Sequence, residues 1–208
     1  RIDTMLEVAR AHNISVPVSL GELVQVQDGD PLTFQNFLAK FNTLRLFYRS
    51  PDVIHRITRE AVEDAALDNV RYLELRFTPV ALSRAERFPL HDVMMWVAAS
   101  AREAAKKHGI QVGLIASVNR HESPDIAYRV LDAALRAANH NIVGIDLAGQ
   151  ELGYSARPFD AFFERLLQYT PDDLGIHRCV EQWICPRSVH RPVDAPIHKQ
   201  EHIMLAEL

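Results

Sequence analysis

The chain has 208 residues, of which 48% are hydrophobic and 24% charged, so it has enough apolar material for one core and is not a disordered or coiled-coil sequence. Its formal net charge of −4 and its lack of a basic run argue against nucleic acid as a partner. No apolar stretch approaches the ~18 residues of a membrane span, and only Cys179 and Cys185 are present. We therefore expect a soluble, cytoplasmic protein with no membrane partner.

Helical periodicity dominates the first part of the chain. Asp3 is suited to cap a helix that runs to His12. Ser50 and Pro51 together predict the start of a further helix, which continues to about Asn69. Between these two, an amphipathic helix is predicted by apolar residues at helical spacing: Phe34, Phe37, Leu38, Phe41 and Leu44.

From residue 70 the pattern changes to alternating strands and helices. Strands are predicted at residues 70–77, 112–118 and 142–148. Helices are predicted from Leu90 to Gly109, from the Ser123-Pro124 pair to about residue 138, and around residues 159–167. Period two in the outer strands places Leu73, Leu75 and Phe77 opposite Tyr72, Glu74 and Arg76, and Val143, Ile145 and Leu147 opposite Gly144, Asp146 and Ala148.

This alternation predicts βαβ units with a parallel sheet. One face of the outer strands is small or charged, which favours a closed barrel with a polar interior over a doubly wound sheet that is apolar on both faces. No G-x-G-x-x-G follows a strand. Because such a barrel needs about 250 residues, we predict an incomplete α/β barrel of the (β/α)8 TIM type with about three strands.

Chemistry in such folds gathers at the carboxyl ends of the strands and in the loops beyond. Three places qualify: Arg76 with Thr78, residues 119–121, and residues 146–151. Glu74, Arg76 and Asp146 could form an internal ion-pair network or serve a site, and the sequence leaves both open. For the Asp146-x-x-Gly149 segment we favour function, because a glycine past a strand end lets a ligand approach the backbone N–H.

Four segments carry a family resemblance. They resemble successive motifs of the adenosine deaminase family in order, residue sequence and spacing. The segments are residues 36–41 (NFLAKF), 73–79 (LELRFTP), 119–121 (NRH) and 144–151 (GIDLAGQE). The E-x-R-F-T-P motif is more similar to that of the adenosine-specific branch than to that of the adenine-specific branch. The resemblance covers residues 1 to about 165 and predicts a partial barrel domain there, followed by an unmatched tail, residues 166–208, that is disordered or frame-shifted.

The resemblance implies a zinc-dependent hydrolase that converts adenosine to inosine in purine metabolism, with a purine nucleoside as its small-molecule partner. It implies that Gly149 presents its N–H to a purine ring nitrogen, beside Asp146, and that Phe37, Leu38 and Phe41 line an apolar lid over the nucleoside. From periodicity alone, ordinary core packing is the better explanation for those three, and only the resemblance brings the two explanations close to balance. Arg76, Arg120 and His121 are expected to have structural roles near the site.

The family's metal and catalytic motifs are missing from the sequence. The resemblance implies zinc ligands from H-x-H, H-A-G-E and Asp-Asp motifs, and a catalytic histidine from G-H-G. The H-x-H, H-A-G-E and G-H-G motifs do not occur, and Asp172-Asp173, expected in a turn with no strand before it, does not replace the family's aspartate pair. The H-x-H strand is expected immediately before Arg1, and H-A-G-E where residues 168–173 read QYTPDD. We therefore predict no metal ligand and no catalytic residue in this chain, although the family's cofactor is Zn²⁺.

The tail offers two metal-like patterns. Residues 198–202 (HKQEH) fit the H-x-x-E-H of a zinc peptidase, a remote alternative that lacks a third ligand. The other set, in spacing that fits no standard finger, is His177, Cys179, Cys185 and His190.

Two interpretations of the whole chain remain open at this stage. One is a catalytically incomplete adenosine deaminase, and the other is an inactive remnant that acts as a binding or interaction piece. An interrupted barrel exposes sheet edges, so either interpretation predicts self-association through those edges.

Overall fold

The computed structural model describes residues 1–16, 19–137 and 140–169. Short 3₁₀ turns occupy Arg45–Phe47 and Arg157–Phe159. In chain order, the other elements of these residues are α1 (Ile2–Ala11), α2 (Leu20–Val24), α3 (Phe34–Leu44), α4 (Pro51–Leu67), β1 (Tyr72–Phe77), α5 (Pro79–Arg84), α6 (Leu90–His108), β2 (Gln111–Asn119), α7 (Pro124–Arg136), β3 (Ile142–Ala148) and α8 (Asp160–Leu166).

The described strands form one parallel sheet in the order β1-β2-β3. Phe77 pairs with Ala116, and Asn119 pairs with Ala148, so the three strands end at the same edge of the sheet. The predicted α/β class with three parallel strands is confirmed. The register brings the three predicted functional segments to this common edge.

The helices cover one face of the sheet. Leu73, Leu75 and Phe77 of β1 are fully buried there, and α6 and α7 pack on β2 from that side. Tyr72, Glu74 and Arg76 point to the opposite face and are only partly covered. The two-residue period of this strand therefore predicted both faces correctly, since an apolar row must be buried and a charged row must stay near water.

Three helix ends show how local chemistry sets boundaries. The Ser50 hydroxyl accepts a hydrogen bond from the Val53 N–H, which confirms it as the cap of α4. Ser123 has the backbone of a cap before α7, but its side chain makes no capping bond. Gly109 ends α6 with φ +69°, the left-handed conformation that glycine adopts without strain.

The prediction of Asp3 as the cap of α1 is wrong. The helix begins at Ile2 with Arg1 in the cap position, so Asp3 lies in the first turn. A carboxylate there is still favourable, because it faces the positive end of the helix dipole.

The predicted face of Val143 is also wrong. The pairing of β2 with β3 shifts between Leu114 and Ile115, so that Leu114 lies opposite Ile142 and Ile115 opposite Gly144. This irregularity places Val143 against Gly113, where a Cβ would meet Val143 Cγ2 at 2.7 Å. Gly113 shares that face with Glu74 and Tyr72, not with the helices. A β-bulge breaks the two-residue period, and the period was the basis of the prediction.

A smaller apolar cluster lies outside the main core. It joins α1, α2 and the start of α4 through Val8, Leu20, Phe47 and Val53. The helices α2 and α5, both of six residues or fewer, were not predicted from the sequence. Within the described ranges, no helix has both the length and the apolar character needed to cross a bilayer.

Candidate functional site

The carboxyl ends of β1, β2 and β3 gather polar groups. Thr78 follows β1, Asn119 ends β2, and Gly149 follows β3. These positions are held by the backbone, since the Arg120 N–H donates to the Ala148 carbonyl at 2.9 Å. The candidate site is this strand-end cluster, which we define as Thr78, Asn119 and Gly149.

An ion pair lies one layer below the strand-end cluster. Arg76 Nη2 contacts Asp146 Oδ2, and the Ser117 hydroxyl donates to Asp146 Oδ1 at 2.5 Å. The two charged side chains are 24% and 18% exposed. Burial raises the pKa of the Asp146 carboxyl above its ordinary value, while Arg76 and Ser117 act in the opposite direction. Both carboxylate oxygens therefore have partners within the protein.

This arrangement answers part of the question that the sequence left open. Arg76 and Asp146 are paired with each other, and Glu74 accepts a hydrogen bond from the Tyr72 hydroxyl at 3.0 Å. The internal ion pair is thus present. A direct contact between Asp146 and substrate stays a prediction, as does the structural role of Arg76 near the site.

Gly149 is fixed by two independent constraints. Its φ of +88° is a conformation that L side chains rarely adopt. A Cβ at this position would also lie 3.2 Å from Asn119 Oδ1 and 3.5 Å from the Arg120 nitrogen. The backbone at Gly149 therefore lies close to the end of β2. The contact between its N–H and a ligand stays a prediction.

The loops after β2 and β3 are linked by side chains. Arg120 Nη2 forms an ion pair with Glu151 Oε1 at 2.8 Å, and the rings of His121 and Tyr154 pack in a T-shaped arrangement with centroids 6.1 Å apart. The structural roles near the site that were predicted for Arg120 and His121 stay predictions.

The three predicted lid residues differ in burial. Phe41 is buried, Leu38 is half-buried, and Phe37 is 40% exposed. Phe37 lies between Phe34 and Phe41, with ring centroids 6.2 and 5.2 Å apart respectively. Core packing, the alternative explanation from the sequence, accounts for Phe41 but not for Phe37. The lid over a nucleoside stays a prediction for all three.

Three residues of the site were either not predicted from the sequence or given no role of their own. Ser117 was not singled out, because its bond to Asp146 depends on the pairing register, which no local pattern reveals. Thr78 and Asn119 were noted only as members of strand-end segments, yet both are buried and carry a side-chain oxygen that has no hydrogen-bond partner among the described residues. Their position directly after apolar strands was the available signal.

Zinc is the cofactor that the resemblance implies. Within residues 1–16, 19–137 and 140–169, no three His, Cys, Asp or Glu side chains are grouped so that they could hold a metal ion. The described residues therefore do not fit a zinc centre. The metal-like patterns at residues 177–190 and 198–202 lie outside the described residues.

Two solved structures share this fold. A cog1816 amidohydrolase with bound Zn from Burkholderia ambifaria superposes with a TM-score of 0.70 at 24% identity, covering 81% of this chain and 46% of that one. Arabidopsis ADAL complexed with IMP gives a TM-score of 0.69 at 28% identity, covering 84% of this chain and 52% of that one. The described part of the chain is thus an incomplete α/β barrel with the fold of these structures.

The sequence comparisons narrow this fold to one family. The adenosine deaminase family model matches residues 1–180, which extends beyond the predicted boundary near residue 165. The adenosine deaminase of Shigella flexneri serotype 5b is 36% identical over 169 residues, 79% of this chain and 50% of its relative. The chain belongs to the adenosine deaminase family and spans about half the length of the curated relatives it matches.

Proposed function

We propose that this chain supplies part of the nucleoside-binding side of a zinc-dependent deaminase that converts adenosine to inosine and ammonia in cytoplasmic purine salvage. The observation that carries the proposal is the backbone conformation of Gly149. This residue has a positive φ and lies close to Asn119 at the common edge of the sheet. It lies in the family's GIDLAGQE motif.

In this proposal each group has a limited role. The Gly149 N–H donates to a purine ring nitrogen, which is an acceptor only. Arg76 and Ser117 hold Asp146 and so fix the end of β3 that presents Gly149. Phe37 offers one of the exposed rings of α3 as apolar cover for the base. We assign zinc chemistry to no described residue.

We further propose that the 208-residue chain binds a nucleoside without turning it over. The support is the sequence, which lacks the H-x-H and H-A-G-E wording that the family resemblance requires. Binding and turnover can therefore be measured separately.

The test uses the 208-residue chain with adenosine, adenine and AMP as ligands. These three purines differ only in the group on N9, which is a ribose, a hydrogen or a ribose phosphate, respectively. Ligand-observed NMR measures binding, and chromatography measures inosine formation with and without added zinc. We expect adenosine to bind more tightly than adenine or AMP, with no inosine formed. Tighter AMP binding would move the proposal to nucleotides, absence of all binding would reject it, and zinc-dependent turnover would reject catalytic incompleteness.

A further inference from the structure

Asn119 carries an oxygen that the described protein leaves without a partner. The residue is 3% exposed, and its Oδ1 makes no hydrogen bond with any described group. A buried amide oxygen without a donor costs free energy, so such atoms in native proteins are satisfied by a ligand, by water or by a further part of the protein.

The backbone of Asn119 is firmly held, so the orphaned oxygen does not result from a loose segment. Asn119 pairs with Ala148 in the sheet, and its carbonyl accepts the Glu122 N–H at 3.0 Å. Its Oδ1 lies 3.2 Å from the point where Gly149 would carry a Cβ. The acceptor therefore sits directly beside the proposed purine contact.

A second buried oxygen without a hydrogen-bond partner among the described residues lies just after the neighbouring strand, β1. Thr78 is fully buried, and its hydroxyl has no hydrogen-bond partner among the described residues, although its carbonyl accepts from the N–H groups of Ala81 and Leu82. Two adjacent strands thus end in buried, unsatisfied oxygens. A polar ligand at this edge explains both, whereas an apolar ligand would leave both unsatisfied.

The chemistry of adenosine limits which ligand group can satisfy Asn119. An amide oxygen accepts only, so it needs a donor. The ring nitrogens of adenosine accept, which leaves the exocyclic amine and the sugar hydroxyls as donors. In a deamination the amine is the leaving group and must face the hydrolytic groups, none of which we assign to the described residues.

We infer that Asn119 Oδ1 accepts a hydrogen bond from a sugar hydroxyl of the bound nucleoside, and that this residue helps to select nucleosides by their ribose. The inference rests on the proposed function, since it places the sugar beside Gly149. It makes Asn119 a specificity residue for the ligand, distinct from any role in the hydrolytic step.

The experiment measures Kd for adenosine and for its 2′-, 3′- and 5′-deoxy analogues on the 208-residue chain by ligand-observed NMR. We expect at least one analogue to bind the wild-type chain about two- to tenfold more weakly than adenosine, the effect of one neutral hydrogen bond. Asn119→Ala should abolish that difference. Asn119→Asp, which keeps an acceptor, should retain it, and Asn42→Ala, at an exposed position on α3, should leave all four affinities unchanged.

The outcomes separate this inference from the proposed function. If adenosine does not bind the wild-type chain, both fail together. If adenosine binds but every deoxy analogue binds equally well, only the role of Asn119 is overturned. The same follows if an analogue is weaker than adenosine by the same factor in Asn119→Ala as in the wild type. Should Asn119→Ala fail to fold, the inference is still overturned if the wild type binds all three deoxy analogues as tightly as adenosine, or if Asn119→Asp loses the discrimination.

Discussion

The carboxyl of Asp146 makes the folded state sensitive to pH. Burial raises its pKa in the folded protein, so the folded state binds more protons than the unfolded state above the ordinary pKa of aspartate. The free energy of unfolding therefore falls as pH rises from that ordinary value through the raised one. Asp146→Asn lacks this titration, so its stability relative to the wild type should increase with pH over the same window, as measured by urea unfolding at a series of pH values.

Asp30 provides a control with the opposite sign. A hydrogen bond from Lys40 and one from the Gln27 N–H lower the pKa of this carboxyl. Its stabilising contribution is present above the ordinary pKa and is lost as pH falls through the lowered one. Asp30→Asn should therefore be less stable than the wild type near neutral pH, with a deficit that shrinks in acid. If the stability difference from the wild type changed with pH in the same direction in both variants, the raised pKa assigned to Asp146 would be contradicted.

Glycine substitutions separate backbone strain from crowding at the proposed purine contact. Gly149 has both a positive φ and a near neighbour, Gly109 has only the positive φ, and Gly29 has neither. We expect Gly149→Ala to destabilise the chain by about 1–2 kcal/mol or more, Gly109→Ala by about 1 kcal/mol, and Gly29→Ala by close to zero. Denaturant unfolding gives the three values, and a Gly149→Ala no worse than Gly109→Ala would mean that the close approach to Asn119 carries no cost.

At the scale of single elements, two serines before helices offer a matched comparison. Ser50 accepts the Val53 N–H at the start of α4, whereas Ser123 makes no capping bond at the start of α7. Ser50→Ala should cost about 1 kcal/mol of unfolding free energy, and Ser123→Ala only a few tenths. Thermal and urea denaturation of the two variants check the difference. Similar losses would show that the Ser50 bond is not what stabilises the start of α4.

The elements that could be predicted are those with a strong, unbroken period. The stripe of α3 and the alternation of β1 gave the right element types because each buries one face. Local patterns failed where long-range pairing decides. The bulge that turns Val143 toward Gly113 and the bond from Ser117 to Asp146 both depend on register between distant strands.

The candidate site was predictable in its position but not in its detail. The rule that chemistry lies beyond strand ends located Gly149, and glycine at that point indicated a special backbone conformation. The orphaned oxygens of Thr78 and Asn119 could not be foreseen, because whether a polar group is satisfied depends on every neighbour in the fold.

At the scale of the whole molecule, the described part of the chain has a three-stranded sheet with two outer strands. Among the described strands, β1 and β3 each pair only with β2, so their outer backbone groups have no strand beside them. Parallel sheets of this kind are normally closed or covered, and an open edge is a template for another strand. We propose that the 208-residue chain self-associates through these edges. Its sedimentation coefficient should increase with concentration, and the amides of β1 and β3 should exchange more slowly at high concentration.

The exposed aromatic face of α3 is the competing explanation for any self-association. Phe34 and Phe37 are 51% and 40% exposed and could pair between copies without any strand contact. The double variant Phe34→Glu with Phe37→Glu removes that apolar surface and leaves the sheet edges intact. If the edges mediate association, this variant should sediment like the wild type, and the concentration-dependent protection should stay in β1 and β3. A variant that becomes monomeric, or protection confined to α3, would assign the association to the aromatic face instead.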